Sequence, residues 1–285
     1  MKLRHWLIRR VGDCLPQQVN VWLATRSKGL RRLVQPGKEF VFDRYLGELL
    51  VAIDTTYPIE LQMMLGRYDR DSSALINRFF QADWVSIDVG ANVGALTLLM
   101  ALRSPQGAVA AVEPGPLICS RLRRNLQLNP SLAKRVHVFE VGIAEKRGRL
   151  FWNEDPNNRG NAGLLGSSGT SVEVLTLDDI VDGMSPSRVD FLKIDVEGME
   201  LEAITGGLET IKRFRPFIYY ETLDAFNQIR GFDVHAEISK MLSRIGYRRF
   251  AVMRDGRLAA VEDSGVTKSS NTLAVPIEKA AGLCP

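Results

Sequence analysis

Two short segments of this 285-residue chain place acidic and glycine residues where ligand chemistry is done. The first, Asp88-Val89-Gly90-Ala91-Asn92-Val93-Gly94, follows a short apolar run and precedes a helical one. A glycine turn between strand and helix lets backbone approach a ligand closely, and the helix N-terminus turns amide hydrogens toward it. Gly90 and Gly94 stand at those turn positions, and Asn92 fills the middle position, where Asn is among the few residues that tolerate positive φ. The second segment, Lys193-Ile194-Asp195-Val196-Glu197-Gly198-Met199-Glu200, carries Asp195 and Glu197 to the carboxyl edge of a strand, where open α/β sheets bind ligands.

Charge separates the candidate cofactors. Asp88 at a strand end repels the pyrophosphate of a dinucleotide but suits the ammonium and sulfonium of S-adenosylmethionine. Glu113, ending the next strand, stands where an acid accepts hydrogen bonds from both ribose hydroxyls. Pro114 and Leu117 are then placed to flank the adenine, and Gly142, at the tip of the third strand, lets the base approach. A plain turn glycine explains Gly142 almost as well. Asp88 and Glu113 as mere strand-end acids is the weaker reading, because they follow consecutive strands.

Methylating an alcohol requires removal of its proton as the oxygen attacks, and a carboxylate within reach acts as general base, the more so if burial raises its pKa. Glu197 is the first choice for that base, with Asp195 orienting the sulfonium side or the acceptor hydroxyl, and Glu221 converging from the end of the next strand. Capping of the following helix explains Glu197 equally well, and both roles are compatible. Three carboxylates at one mouth also suit a divalent cation that polarises a hydroxyl, and no feature of the sequence decides for or against it. Glu200 and Glu202 are assigned to solvent.

The elements that must position these residues follow from periodicity. From Trp84, short apolar strands alternate with helices: strand 84–88, helix 94–103, strand 108–113, helix 116–128, strand 136–141. That is half of a doubly wound, mostly parallel α/β sheet. Ahead of it, residues 39–54 read as a β-hairpin around Leu46-Gly47 and 59–80 as helical, with Asp71 or Ser72 capping the second helix. The polar stretch between Gly148 and Val174 reads as an inserted hairpin with a long loop. Strands 189–195 and 216–220 resume the sheet, a helix spans Val234 to Arg244, and Asp255-Gly256 joins an antiparallel C-terminal hairpin.

Composition narrows the function further. Net charge is +4, yet Lys2, Arg4, Arg9, Arg10, Arg26, Lys28, Arg31 and Arg32 face only Asp13 before Pro36, and the remainder is slightly acidic. Residues 1–37 are therefore a basic arm and 38–285 the main domain, with its core at 82–252. The arm's tryptophans and aliphatic residues suit an anionic membrane surface or a nucleic acid, and a solvated helix packed on the domain explains them as well. No run approaches the roughly 20 apolar residues that span a bilayer, and no secretory signal is evident, so the expected location is the cytoplasm, with peripheral contact at the inner face of a membrane. Cys14, Cys119 and Cys284 are too scattered for a disulfide framework or a zinc site, and His137 reads as a core imidazole in a strand.

Together, Asp88-Val89-Gly90-Ala91-Asn92-Val93-Gly94, Val112-Glu113-Pro114, Asn125, Asn129, Thr176-Leu177-Asp178-Asp179, Lys193-Ile194-Asp195-Val196-Glu197-Gly198 and Glu221 resemble the FkbM methyltransferase family. The resemblance covers about residues 40–250, including Gly66-Arg67-Tyr68, and leaves the arm outside. It implies a class I Rossmann-like methyltransferase fold, S-adenosylmethionine as cofactor, and O-methylation of natural-product or carbohydrate hydroxyls. Matching the family pattern places Asp88, Gly90, Asn92, Gly94 and Glu113 at the cofactor, and Asp195 and Glu197 near the acceptor. Where the family commonly has an Asn-Gly pair in the insertion, this chain has Gly160-Asn161-Ala162-Gly163, which departs from it at Asn161.

The leading expectation is thus an O-methyltransferase for a sugar, glycolipid or secondary-metabolite hydroxyl. A nucleic-acid methyltransferase is the second, weakened because the chain lacks an Asn-Pro-Pro-Tyr type of segment and confines its excess positive charge to the arm. A non-catalytic S-adenosylmethionine-binding protein is the third. Oligomeric state is not legible.

Overall fold

The computed structural model describes residues 39–153, 163–166, 169–261, 271–281 and 283. The basic arm and Asn161 lie outside the described residues. The chain enters through an antiparallel hairpin, β1 (Phe40–Tyr45) and β2 (Leu49–Ile53), turned at Leu46 and Gly47 with φ of +47° and +102°. Two helices follow, α1 (Pro58–Met64) and α2 (Arg70–Phe79). The cap of α2 is Asp69, not Asp71 or Ser72: Asp69 sits at φ +44° and its carboxylate accepts from the Ser72 hydroxyl, while Asp71 accepts from the Asn271 amide at 3.1 Å.

The winding then runs β3 (Val85–Val89), α3 (Ala95–Arg103), β4 (Ala108–Val112), α4 (Pro116–Leu128), α5 (Pro130–Ala133) and β5 (Val136–Phe139). Pro116 and Pro130 each sit in a first helical turn, where the missing N–H costs nothing. The third strand stops two residues earlier than expected. Gly142 belongs to β6 (Gly142–Ile143), which opens a second, four-stranded sheet with β7 (Gly148–Asn153), β8 (Gly163–Gly166) and β9 (Thr170–Leu175), in the order β6-β9-β7-β8. Its exit is fixed by α6 (Leu177–Met184), started by a reciprocal capping box between Thr176 and Asp179.

The main sheet resumes with β10 (Phe191–Ile194), α7 (Glu200–Thr205), α8 (Leu208–Phe214) and β11 (Phe217–Glu221), the helix being interrupted at Gly206-Gly207. After α9 (Asp224–Arg230) and α10 (Val234–Arg244) come β12 (Tyr247–Val252), β13 (Leu258–Ala260) and β14 (Asn271–Pro276). The eight strands lie in the order β13-β12-β14-β11-β10-β3-β4-β5. Strands β11, β10, β3, β4 and β5 are mutually parallel, and β12 and β13 form the foreseen antiparallel hairpin. The unforeseen strand is β14, which slots antiparallel between β11 and β12.

Both faces of this sheet are covered. Ile87, Val89, Ala110 and Val112 pack in one apolar cluster, and Val109 and Ala111 in the other, as the alternation of side chains along doubly covered strands requires. His137, on the edge strand β5, is exposed rather than in the core. Among the described residues no helix is long and apolar enough to cross a membrane.

Candidate active site

The reversal of winding between β3 and β10 opens a crevice at the carboxyl ends of the parallel strands, the place where such sheets bind ligands. The glycine loop rises from β3 with Gly90, Asn92 and Gly94 at φ of +78°, +51° and +83°. At Gly90 conformation and space coincide, because a Cβ there would fall 1.8 Å from the Asp195 carbonyl oxygen. The loop amides do not all face outward as the sequence suggests. Those of Gly90 and Ala91 both donate to the Val112 carbonyl at 3.0 Å, and that of Asn92 donates to Glu113 Oε2 at 2.9 Å. With these donors satisfied inside the fold, this turn is no phosphate cradle of the kind built from free helix-terminal amides.

Glu113 also accepts from the Gly115 N–H at 2.9 Å and is 3% exposed. Burial pushes its carboxyl up to about 7, against the pull of those two amide bonds. Each carboxylate oxygen keeps a further lone pair for a ligand hydroxyl. Asp88 does not line the crevice. It is fully buried beneath the loop, takes the Thr97 hydroxyl at 2.6 Å, and faces the Lys193 ammonium at 3.2 Å. Its charge therefore acts on the loop and on Lys193 rather than by contact from the lining.

Two adjoining cavities share a wall. The first is bounded by the glycine loop, by Glu113, Pro114 and Ile118, and by Gly142, Ile143 and Trp152 from the second sheet. Leu117, foreseen at the adenine, is exposed and outside it. The second cavity is bounded by Tyr68 and Asp69 from the α1–α2 connection, by Glu200 and Glu221, and by Leu223, Phe226 and Asn271. Asn92, Asp195 and Glu197 line both. Sequence reasoning brought Asp195, Glu197 and Glu221 to this mouth. It missed Trp152 and Asn271, the one because a tryptophan in a polar insertion carries no period, the other because β14 was not foreseen.

The loop after β10 is held by backbone strain and buried bonds. Glu197 and Gly198 adopt φ of +52° and +98°. Glu200 is not in solvent: it is 2% exposed and accepts from the amides of Val196 and Gly198 at 3.2 and 3.1 Å. Glu200 thus ties down the turn ahead of α7 without capping the helix, whose N-cap is Met199 with no side-chain bond, and Glu197 lines the wall shared by the two cavities. Glu202 is half-buried in an ion pair with Arg230, which also donates to the Gly198 carbonyl at 2.7 Å. Burial, then the nearby Asp195 and Glu200 charges, push Glu197 up to about 7, and burial with Asp195, Asp69 and Glu197 raises Glu221 as well. A carboxylate with its pKa near neutrality is suited to accept a proton. Among the described residues, no cluster of three or more His, Cys, Asp or Glu is arranged to hold a metal ion.

A doubly wound sheet with an antiparallel strand inserted near one edge, a glycine loop on its first strand and an acid ending its second define a class I Rossmann-like methyltransferase fold. Residues 88–249 match the methyltransferase FkbM domain, and the chain belongs to that family of methyltransferases. Among curated proteins it is 28% identical over 190 residues to methyltransferase sdnD of Sordaria araneosa, covering 52% of this chain and 73% of that one. It is 28% identical over 170 residues to the 2-O-methyltransferase NoeI of Sinorhizobium fredii, covering 53% and 68%. The hexuronic acid methyltransferase AglP of Haloferax volcanii is 26% identical over 141 residues, covering 49% and 56%. The crystal structure of methyltransferase FkbM from Methylobacillus flagellatus superposes with a TM-score of 0.50 at 18% identity, covering 79% of this chain and 56% of that one.

Proposed function

We propose that the chain is an S-adenosylmethionine-dependent O-methyltransferase whose acceptor is a hydroxyl of a sugar, glycolipid or secondary metabolite. The observation that carries this reading is the wall common to the two cavities: Asn92, Asp195 and Glu197 stand between a crevice suited to the cofactor and a polar cavity suited to the acceptor. In the crevice, Glu113 would take the ribose hydroxyls, Pro114, Ile118, Ile143 and Gly142 would enclose the adenine, and Asp195 would face the cationic end. Asp88, Gly90, Asn92 and Gly94 would hold the loop in shape. When bound, S-adenosylmethionine supplies an electrophilic methyl group. Glu197 removes the hydroxyl proton as the oxygen attacks, Asp195 orients the hydroxyl, and Glu221 completes the cavity behind it.

The acceptor cavity carries carboxylates from three directions, and no lysine or arginine lines it among the described residues. Such a surface repels phosphate, which favours an acceptor without a phosphodiester backbone over nucleic acid. A 2-O-methyltransferase and a hexuronic acid methyltransferase among the relatives agree with a hydroxylated small molecule or carbohydrate. Location in the cytoplasm, with the arm touching an anionic membrane, belongs to the same reading. Incubation with methyl-labelled cofactor and a panel of hydroxylated acceptors tests it: label should appear in an ether-linked methyl, and Glu197→Gln should slow transfer by about 10²–10⁴ while cofactor binding persists. Label on nitrogen, or undiminished transfer by Glu197→Gln, would overturn it.

A further inference from the structure

We propose that Trp152 is the aromatic wall of the adenine subsite, so that the second sheet, and not the Rossmann sheet alone, builds the cofactor site. This rests on the reading of the crevice as the cofactor's. Trp152 stands on β7, outside the main sheet, yet its side chain lines the crevice together with Glu113 and Pro114. It is the only aromatic side chain that does so among the described residues. The indole is 8% exposed and lies against Gly115, where a Cβ would come within 2.9 Å of ring atoms. That contact sits two residues past Glu113, whose Oε1 takes the Gly115 amide. A base whose ribose is held by Glu113 is therefore brought to the indole.

The placement of the tryptophan is itself constrained. Its strand pairs antiparallel with β9, Trp152 opposite Thr170, and β9 pairs with β6, which brings Gly142 and Ile143 to the same crevice. Gly169, at φ +135°, passes so close that a Cβ would lie 2.2 Å from the Trp152 carbonyl oxygen. Trp152 packs in the main apolar cluster with Ile118 and Val172, and it also borders the crevice, where a purine can lie against it. Aromatic rings stack on bases with little dependence on sequence, an interaction of about 1–3 kcal/mol by alanine substitution.

Titration of the full chain with S-adenosylhomocysteine tests this by two readouts, calorimetric Kd and intrinsic fluorescence. The other tryptophans are Trp6, Trp22 and Trp84, the last stacked with Phe217 in the core. S-adenosylhomocysteine and adenosine, but not methionine, should quench the fluorescence. Trp152→Phe should remove the quench while binding within about fivefold of the parent, and Trp152→Ala should weaken binding by roughly tenfold or more. A quench that survives in Trp152→Phe, or a Trp152→Ala Kd within twofold of the parent, overturns the inference and leaves the cofactor reading intact. Failure of the parent chain to bind S-adenosylhomocysteine in calorimetry removes both.

Discussion

The Lys193 ammonium lies 3.2 Å from Asp88 Oδ1, and the register of β10 on β3 pairs these two residues directly. Neither is solvated, with side chains 4% and 0% exposed. The same ammonium donates to the Gly90 carbonyl at 3.1 Å and stands 3.5 Å from Asp195, so one cation ties the glycine loop to the end of β10. Burial pulls its pKa down, but Asp88, Asp195 and Asp69 together hold it above that of an ordinary lysine.

Removing one member of such a pair strands the other. Lys193→Met should destabilise the chain by about 3–5 kcal/mol in urea unfolding, because Asp88 and the Gly90 carbonyl lose their buried partner. Adding Asp88→Asn to that variant should recover part of the loss. Equal stability of Lys193→Met and the parent would show that the pair carries no net weight.

If Glu197 is the base, as proposed, its raised carboxyl sets the pH dependence of methyl transfer. A general base works in its deprotonated form, and Glu197 is raised to about 7 by burial and by Asp195 and Glu200. Methyl transfer should therefore climb with pH through about 7 and level off above it. Glu197→Gln should lower kcat by about 10²–10⁴ and erase that limb. A limb unchanged in Glu197→Gln would assign it to another group, Glu221 first.

The same groups set the pH dependence of stability, with a sign opposite to that of salt-bridged acids. Glu113, Glu197 and Glu200 each bind their proton more tightly folded than unfolded, at about 7 against about 4.5 for an ordinary glutamate. Between those limits the folded state holds more protons, so stability is full below about pH 4.5 on this account and falls as pH rises through about 7. The unliganded chain should lose stability across that window, by about 3 kcal/mol for each group that keeps its full shift, measured by urea midpoints, and Glu200→Gln should flatten the slope.

Much of this was legible in the sequence because it is local. The strand–loop–helix order around Asp88, the strand-end acids Glu113, Asp195 and Glu221, and the Asp255-Gly256 hairpin all follow from period and turn chemistry. What was not legible depends on distant partners. Asp88 reads as a ligand contact until Thr97 and Lys193 are seen to enclose it. Glu200 reads as a surface acid until the turn at Glu197 and Gly198 folds its amides onto it. Strand β14 follows residues that carry no apolar period, and its place between β11 and β12 is set by pairing across the sheet.

Loop geometry separates two substitutions that look alike on paper. Gly90 and Asn92 share a left-handed backbone, but only Gly90 also presses on a neighbour, the Asp195 carbonyl. Gly90→Ala should cost more than about 3 kcal/mol, or abolish folding, because strain and a backbone clash add. Asn92→Gly should stay within about 1 kcal/mol, since glycine accepts the conformation and the Asn92 amide can still reach Glu113. A well-folded Gly90→Ala with parental urea midpoint would contradict the close approach of the two strands' loops.

Asn125 and Asn129 belong to the residues by which the chain resembles its family, and their work is structural. Asn125 accepts the Ala52 amide and donates to the Val93 carbonyl, both at 2.7 Å, while Asn129 accepts the Leu50 amide at 3.1 Å and donates to the Leu50 carbonyl at 2.6 Å. One turn of α4 thus pins the entering hairpin to the end of the glycine loop. Asn125→Ala leaves two buried backbone groups without partners, each costing about 1–3 kcal/mol. Hydrogen exchange of β2 should accelerate in that variant well before β4 or β10 is affected, and unfolding free energy should fall by about 2–4 kcal/mol. Exchange that accelerates uniformly across the main sheet would instead make Asn125 a member of the common core, and the hairpin no separate unit.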